Sequence, residues 1–144
     1  MENPLLNFIE HALAEKTNAK LIFEFHELDS EQAAALLELS GLDLTGYHRV
    51  VDSFAVRHIF KNHGNDKTEL LRGQIGVVRE DFLLIERTVK TSRVVSIEVS
   101  KIGNVMFVYT FEHENFKMIF VEEIRVRRKE LAVLTFYKQK IRRR

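Results

Sequence analysis

The sequence predicts an α+β fold in which N-terminal helices pack on one face of a four-stranded antiparallel β-meander. Apolar residues recur at helical spacing through the first half, whereas the second half contains four runs rich in Val, Ile, Phe, Tyr and Thr. The breaks between these runs, at residues 103–104, 114–115 and 128–129, are short. Parallel neighbours need longer crossovers, so we expect each strand to run antiparallel to the next.

The first elements are predicted from capping residues and apolar spacing. Asn3 before Pro4 is a good helix start, and apolar residues follow at helical spacing through residue 13. Residues 21–25 alternate as a short strand does. Ser30 is predicted to cap a second, alanine- and leucine-rich helix that ends at Gly41 in the left-handed conformation.

The remaining elements follow from the same signals. Residues 46–51 favour a strand, and a third helix is predicted to begin at Asp52 or Ser53 and to end near Gly64. A shorter fourth helix is predicted over 79–86, where apolar residues lie three apart. The meander strands are then predicted over 93–99, 105–113, 116–126 and 131–138.

Length and composition limit the class of protein. A chain of 144 residues with one proline and six glycines is typical of one domain without a long linker. The absence of cysteine excludes disulfides, thiolate nucleophiles and zinc fingers. Glu2 and Glu10 interrupt the apolar N-terminal pattern, so we expect neither a signal peptide nor a membrane span. A cytoplasmic location is expected, unless the chain is phage-borne or delivered to a target cell.

Charge is distributed unevenly along the chain. Residues 1–43 contain nine acidic and two basic residues, whereas residues 124–144 contain nine basic and one acidic. We therefore divide the single domain, 1–144, into an acidic helical part over 1–45, a core over 46–138 and a basic tail over 139–144. A basic end of this density suits phosphate binding, but it is equally typical of a solubilising tail.

Two histidines are candidates for proton transfer. The sequence has no phosphate-binding glycine loop, no HExxH and no GxSxG, so no metal site or cofactor is predicted. His58 and His63 are five residues apart, about 140° around a helix, and should diverge rather than share a metal ion. His58 lies on the flank of the apolar stripe, where it could reach a cleft. His63 lies within the stripe, before Gly64, where the helix dipole alone favours a histidine.

The last two strands offer groups that suit a phosphodiester. Period-two alternation places Arg125 on one face with Glu123, and Thr135 on one face with Tyr137. An arginine can stabilise the extra charge of a five-coordinate phosphorus, and hydroxyls can hold a phosphate oxygen. The alternative is structural: Thr135 and Tyr137 are good strand formers, and Arg125 could simply pair with Glu122 or Glu123.

Three stretches together resemble the phage-associated branch of the barnase–EndoU–colicin–RelE-like nucleases. They are HRVVDSFAVRHIFKNHGN over 48–65, RGQIGVVREDFLLI over 72–85 and VEEIRVRRKELAVLTFYK over 121–138. The resemblance covers residues 46–138, and it implies a fold of helices followed by a four-stranded meander. Residues 1–43 lie outside it, and we expect them to complete the fold.

The resemblance implies metal-independent RNA cleavage, in which the ribose 2′-hydroxyl attacks its own phosphate and leaves a 2′,3′-cyclic phosphate. His58 would be the general base or acid, and His63 its partner or the residue that orients it. Arg125 would stabilise the phosphorane, and Thr135 would hold the phosphate. Further substrate contacts would come from Arg72, Tyr137 and Lys138.

The sequence leaves other functions open. One alternative to a phage or mobile-element toxin is a catalytically inactive module that binds RNA or a protein, and another is a phage assembly protein. RNA is the expected partner, and an immunity protein would be a second one if the chain acts as a toxin. The oligomeric state is not predicted.

Overall fold

The computed structural model describes residues 3–15, 19–91 and 94–141, which form five α-helices, one 3₁₀ helix and seven strands. The helices are α1 (Pro4–Ala14), α2 (Ser30–Ser40), α3 (Ser53–His63), α4 (Asp66–Leu71), the 3₁₀ helix (Arg79–Leu83) and α5 (Leu84–Thr91). The strands are β1 (Ile22–Glu27), β2 (His48–Asp52), β3 (Gln74–Ile75), β4 (Val94–Val99), β5 (Val105–His113), β6 (Phe116–Arg125) and β7 (Glu130–Lys140).

Side-chain caps define the first two helices. The Asn3 side chain accepts hydrogen bonds from two amides of the first turn of α1, as predicted. The cap of α2 is Asp29 rather than Ser30: Asp29 and Gln32 form a reciprocal capping box, and Ser30 is the first helical residue. Gly41 ends α2 with φ of +76°, which confirms the predicted left-handed terminator.

In the middle of the chain, α3 was predicted closely, whereas the elements that follow it differ from the prediction. α3 begins after its cap Asp52 and ends at Gly64, as expected. The predicted helix over 79–86 is instead the 3₁₀ helix followed by α5, which extends to Thr91. α4 was not predicted, and its cap Asn65 accepts hydrogen bonds from the amides of Lys67 and Thr68. β3, which has only two residues, was not predicted either.

The sheet is mixed and has seven strands, so the expectation of a four-stranded antiparallel sheet was wrong. Strands β4 to β7 do pair antiparallel with their neighbours in sequence. The sheet continues beyond them in the order β1-β2-β7-β6-β5-β4, and β3 also pairs with β7. β2 runs parallel to β7 over residues 48–50 and 130–132. The long chain segment between these two strands supplies the crossover that a parallel pair needs.

The acidic N-terminal part belongs to the same core as the rest of the chain. Leu5 and Ile9 of α1 are buried in one apolar cluster with Phe107 and Phe136 of the sheet. The short strand predicted over 21–25 is confirmed as β1, which pairs with β2, so the part labelled helical also contributes a strand to the sheet. Of the predicted basic tail, residues 139–140 form the end of β7, and residues 142–144 lie outside the described residues.

An ionic network lies in the interior beneath α2. Arg49, only 3% exposed, donates to both carboxylate oxygens of Glu122 and to the Tyr109 hydroxyl. The Tyr109 hydroxyl in turn donates to Glu122. Burial, followed by the charge of Glu122, raises the pKa of Tyr109, so the phenol stays protonated. These three side chains satisfy one another inside the core.

Of the helices in the described ranges, none combines the length and the apolar character needed to cross a membrane.

Candidate active site

A cleft of about 940 Å³ is bordered by α3, by the end of β6 and by β7. Five of the seven side chains that the sequence singled out line it, namely His58, His63, Arg72, Arg125 and Thr135. The other lining residues are Lys20, Asp52, Phe54, Ala55, Asn62, Lys101, Val133 and Leu134. Four of the lining side chains carry positive charge and one carries negative charge. Two further carboxylates, Glu123 and Glu69, pair with Arg125 and Arg72, so the group keeps a net charge of +1 and favours an anion.

A β-bulge in β7 accompanies the placement of Thr135. Across the sheet, Val121 pairs with Thr135 and Glu122 pairs with Val133, which leaves Leu134 as the extra residue. Bulges of this kind change the direction in which the following side chain points. The Thr135 hydroxyl is buried in the cleft wall and has no hydrogen-bond partner among the described residues. A buried hydroxyl without a partner is unusual, because it forgoes a bond that water would otherwise make.

Arg125 is fixed by two carboxylates. Its Nε donates to Glu123 Oε1 and its Nη1 to Asp52 Oδ2, each at 3.2 Å. Partial burial lowers the pKa of Arg125, but the hydrogen bonds to Asp52 and Glu123 outweigh it and raise the pKa above its ordinary value. Arg125 thus makes the ion pair with Glu123 that the sequence offered as a structural alternative, and it also lines the cleft. Its Nη2 group makes no hydrogen bond within the described ranges.

Asp52 connects α3 to this cationic centre. Its Oδ1 accepts from the amide of Ala55, which caps the helix, at 2.8 Å. Its Oδ2 contacts Arg125 and lies 3.7 Å from Lys20 Nζ. The residue that begins α3 thus also positions two cations of the cleft. The sequence indicated only the capping role.

His63 is oriented by a buried glutamate. His63 Nδ1 lies 3.2 Å from Glu69 Oε2, and Glu69 is fully buried. A carboxylate oxygen only accepts, so Nδ1 carries the proton and the lone pair of a neutral ring lies on Nε2. The other carboxylate oxygen of Glu69 accepts from Arg72 Nη1 at 3.2 Å. The His63 ring also stacks on Tyr137, with ring centroids 5.3 Å apart.

His58 has a more open environment. It is exposed on α3, and the amide nitrogen of Asn62 lies 3.1 Å from its Nδ1. Asn62 also donates to the His58 backbone carbonyl, which holds the amide beside the ring. Both histidines line the cleft, one exposed and one in the wall. Among the described residues, no three His, Cys, Asp or Glu side chains are grouped so as to hold a metal ion.

Two of the predicted substrate contacts lie outside the lining of the cleft. Tyr137 reaches it only through the stacked ring of His63. Lys138 is 5% exposed, its Nζ lies 2.8 Å from Asp81 Oδ2, and it sits over the ring of Phe116. This position does not support a substrate contact by Lys138.

A second cavity, of about 970 Å³, lies beneath α2 and differs in charge. Three of its lining residues, Asp29, Glu31 and Glu38, are acidic. Its two cations, Arg49 and Lys90, already pair with Glu122 and Glu86. A phosphate would be repelled there, so the cleft beside α3 is the better candidate site.

Sequence analysis missed several residues of the site. Glu69 went unnoticed because α4 was not predicted, although Asn65 after Gly64 is a helix-start signal. Lys20 and Lys101 carry no local signal, since they reach the cleft from distant segments of the chain. The pairing of Asn62 with His58 could have been inferred from their spacing of four residues on a helix.

Fold and cleft together define a class of protein, a small α+β domain whose cation-rich groove contains two histidines. Residues 9–143 match the model of the family described as phage-Barnase-EndoU-ColicinE5/D-RelE like nuclease3, and the chain belongs to this family. The match begins at residue 9, so it includes most of the acidic part that the motif resemblance over 46–138 had left out. Neither the curated proteins nor the solved structures provided a match to the chain.

Proposed function

We propose that the protein is an endoribonuclease, of the phage or mobile-element toxin type, that cleaves RNA without a metal ion and leaves a 2′,3′-cyclic phosphate. Membership of a nuclease family supports nuclease activity. The observation that carries the finer proposal is the convergence of two histidines and a fixed arginine on one cation-rich cleft. In this reaction the substrate supplies its own nucleophile, so the protein needs only to move protons and stabilise charge.

His63 is suited to act as the general base. Its Nδ1–H is held by Glu69, which leaves Nε2 to take the proton of the ribose 2′-hydroxyl. The O2′ atom then forms a bond to phosphorus as the bond from phosphorus to O5′ breaks. The imidazolium that forms on His63 is stabilised by the buried Glu69 carboxylate, as in other carboxylate-oriented histidines.

His58 is suited to act as the general acid that protonates the departing O5′. It is exposed and lines the same cleft as His63, and the rotation of about 140° between the two positions on α3 separates the rings, so a substrate can lie between them. Arg125 faces the charge that grows on the phosphoryl oxygens, and its two carboxylate partners fix its direction. Thr135 supplies a hydroxyl that has no hydrogen-bond partner among the residues the structure describes, and rotation about χ1 makes it available to a phosphate oxygen.

The test is cleavage of end-labelled RNA by the purified protein in excess EDTA. His63→Gln and His58→Gln are compared with His11→Gln, which changes an exposed histidine of α1 that does not line the cleft. We expect fragments with 2′,3′-cyclic ends from wild type and His11→Gln, and a loss of about 10²–10⁴-fold in each cleft variant. A strict requirement for a divalent metal, or full activity of both cleft variants, would refute the proposal.

The same assay addresses the alternative of an inactive binding module. A basic cleft retains RNA through phosphate contacts even when no bond is cut, and such retention weakens steeply with salt. Salt-sensitive binding without fragments would therefore favour that alternative. Neither binding nor cleavage would favour an assembly role.

A further inference from the structure

Phe54 is an exposed aromatic residue in the cation-rich cleft. It is 44% exposed and lies on the first turn of α3, four residues before His58. Residues at this spacing share one face of a helix, with Cβ atoms about 5–6 Å apart. Both side chains line the cleft, so an apolar ring is presented beside a histidine and close to the cations that suit a phosphate.

The Phe54 ring is supported by an anchored arginine. The Arg57 guanidinium carbon lies 5.1 Å from the centre of the ring. Arg57 is held in place because its Nε donates to the Ser53 carbonyl and its Nη1 to the Glu15 carbonyl, each at 3.3 Å. A cation over an aromatic ring is attracted by the ring's electrons. The ring is therefore oriented in advance rather than left to rotate freely.

We propose that Phe54 is a stacking platform for an unpaired nucleobase of the RNA strand whose phosphate lies in the cleft. This inference rests on the proposed function and specifies its substrate, a single-stranded segment. A base inside a duplex is already stacked on its neighbours, whereas a base in a loop or at an end can lie flat on an aromatic side chain. Stacking of this kind tolerates every base, so Phe54 would select strand state rather than sequence.

The cleft's composition favours a nucleic acid over a peptide as the occupant of this position. Among the described residues, Phe54 is the only Phe, Tyr or Trp in the lining, and the same space is bordered by Lys20, Arg72, Lys101 and Arg125. In a nucleic acid strand bases alternate with phosphates, so one base can stack on the ring while the neighbouring phosphates contact the cations. The other apolar residues of the lining, Ala55, Val133 and Leu134, are aliphatic, whereas protein interfaces cluster several aromatic anchors.

The test measures binding of a short oligonucleotide whose 2′-O-methyl groups block cleavage, with a 2-aminopurine placed at each position in turn. Stacking quenches 2-aminopurine fluorescence. We expect quenching at one position with wild type and with Phe54→Tyr, which retains the ring. Phe54→Leu should lose the quenching and bind roughly 5- to 150-fold more weakly. An oligonucleotide that is abasic at that position should bind all three proteins equally.

Wild-type binding with no quenching at any position, or equal binding by Phe54→Leu, would overturn the platform. Thermal melts establish that each variant is folded. We expect all of them to fold, because Phe54 is exposed and its replacement leaves no cavity in the core. The two proposals can fail separately, because this assay requires no catalysis. RNA cleavage with unchanged binding by Phe54→Leu refutes only the platform. Quenching without cleavage of ordinary RNA refutes only the proposed nuclease activity. If wild type does not bind the oligonucleotide at all, the platform is refuted.

Discussion

Glu69→Gln tests whether the buried glutamate orients His63 for catalysis or only stabilises the fold. Glu69 is fully buried, and its two carboxylate oxygens each accept one hydrogen bond, from His63 and from Arg72. Glutamine has almost the same shape, but its amide has one acceptor and one donor end. One of the two existing donors must then face an N–H group. The negative charge that stabilises an imidazolium on His63 is also lost.

The magnitude follows from the bonds removed. A hydrogen bond to a charged group contributes about 1.5–3 kcal/mol. If the lost hydrogen bond stabilised the transition state by this amount, the cleavage rate falls roughly 10- to 150-fold, since about 1.4 kcal/mol corresponds to a factor of ten. The free energy of unfolding should fall by a similar amount, about 1.5–3 kcal/mol. Arg72 adds little to that loss, because its side chain is 51% exposed and its pairing is screened by water.

Three measurements separate the two roles. Single-turnover cleavage of labelled RNA gives the rate, urea unfolding gives the stability, and the ¹⁵N chemical shifts of the His63 ring give its tautomer. Wild type should have its ring proton on Nδ1, whereas Glu69→Gln should show a mixture of tautomers. Glu80→Gln is the matched control, because Glu80 is an exposed glutamate of the 3₁₀ helix. It should leave all three measurements unchanged.

A purely structural role gives a different pattern. If folded Glu69→Gln cleaves RNA at the wild-type rate with the wild-type tautomer, Glu69 does not orient the base. The assignment of His63 as the general base would then lose its main support. Loss of stability alone is therefore not evidence for the proposal.

Three further predictions follow. Thr135→Val should keep or raise the thermal melting temperature, because it removes a buried hydroxyl without a partner, yet lower RNA cleavage about tenfold or more in the single-turnover assay. Arg49→Met should cost about 3–5 kcal/mol in urea unfolding, because Glu122 would stay buried without its cationic partner. Arg127→Met in the exposed turn should change stability by less than about 0.5 kcal/mol. Burial, and next the charge of Arg49, lower the pKa of His26 from 6.5. The unfolded chain then binds more protons than the folded chain. The stability contributed by the neutral His26 ring is therefore complete above pH 6.5 and is lost as the pH falls towards the folded pKa. In thermal melts across this pH range, the melting temperature of His26→Gln should fall less with decreasing pH than that of wild type.

The fold was predictable where its signals are local. Asn3, Gly41 and Asp52 mark helix ends through bonds to residues within one turn, and such bonds depend only on neighbouring sequence. The four C-terminal strands followed from composition and short turns. The parallel pairing of β2 with β7 has no local signal, because the partners lie about eighty residues apart along the chain. β3 was missed since two residues carry no periodicity.

The candidate site was predictable as a set of residues and less so in its internal arrangement. Period and position selected His58, His63, Arg125 and Thr135, and these four line one cleft. The sequence favoured His58 as the main proton-transfer group, because a helix dipole already accounted for His63. Only the fold shows that α4 brings Glu69 against His63. Lys138 illustrates the converse limit, since the sequence does not indicate that its side chain is buried and paired with Asp81.

The charge asymmetry of the chain also becomes intelligible in three dimensions. The acidic N-terminal part repels RNA only if its carboxylates face the substrate. Several of them instead line the cavity beneath α2 or pair elsewhere, as Glu10 does with Arg79 and Glu24 with His48. The cleft receives a cation, Lys20, from this part of the chain and takes its carboxylate, Asp52, from the start of α3. The acidic residues thus balance the net charge of the chain at a distance, while the potential within the cleft remains positive.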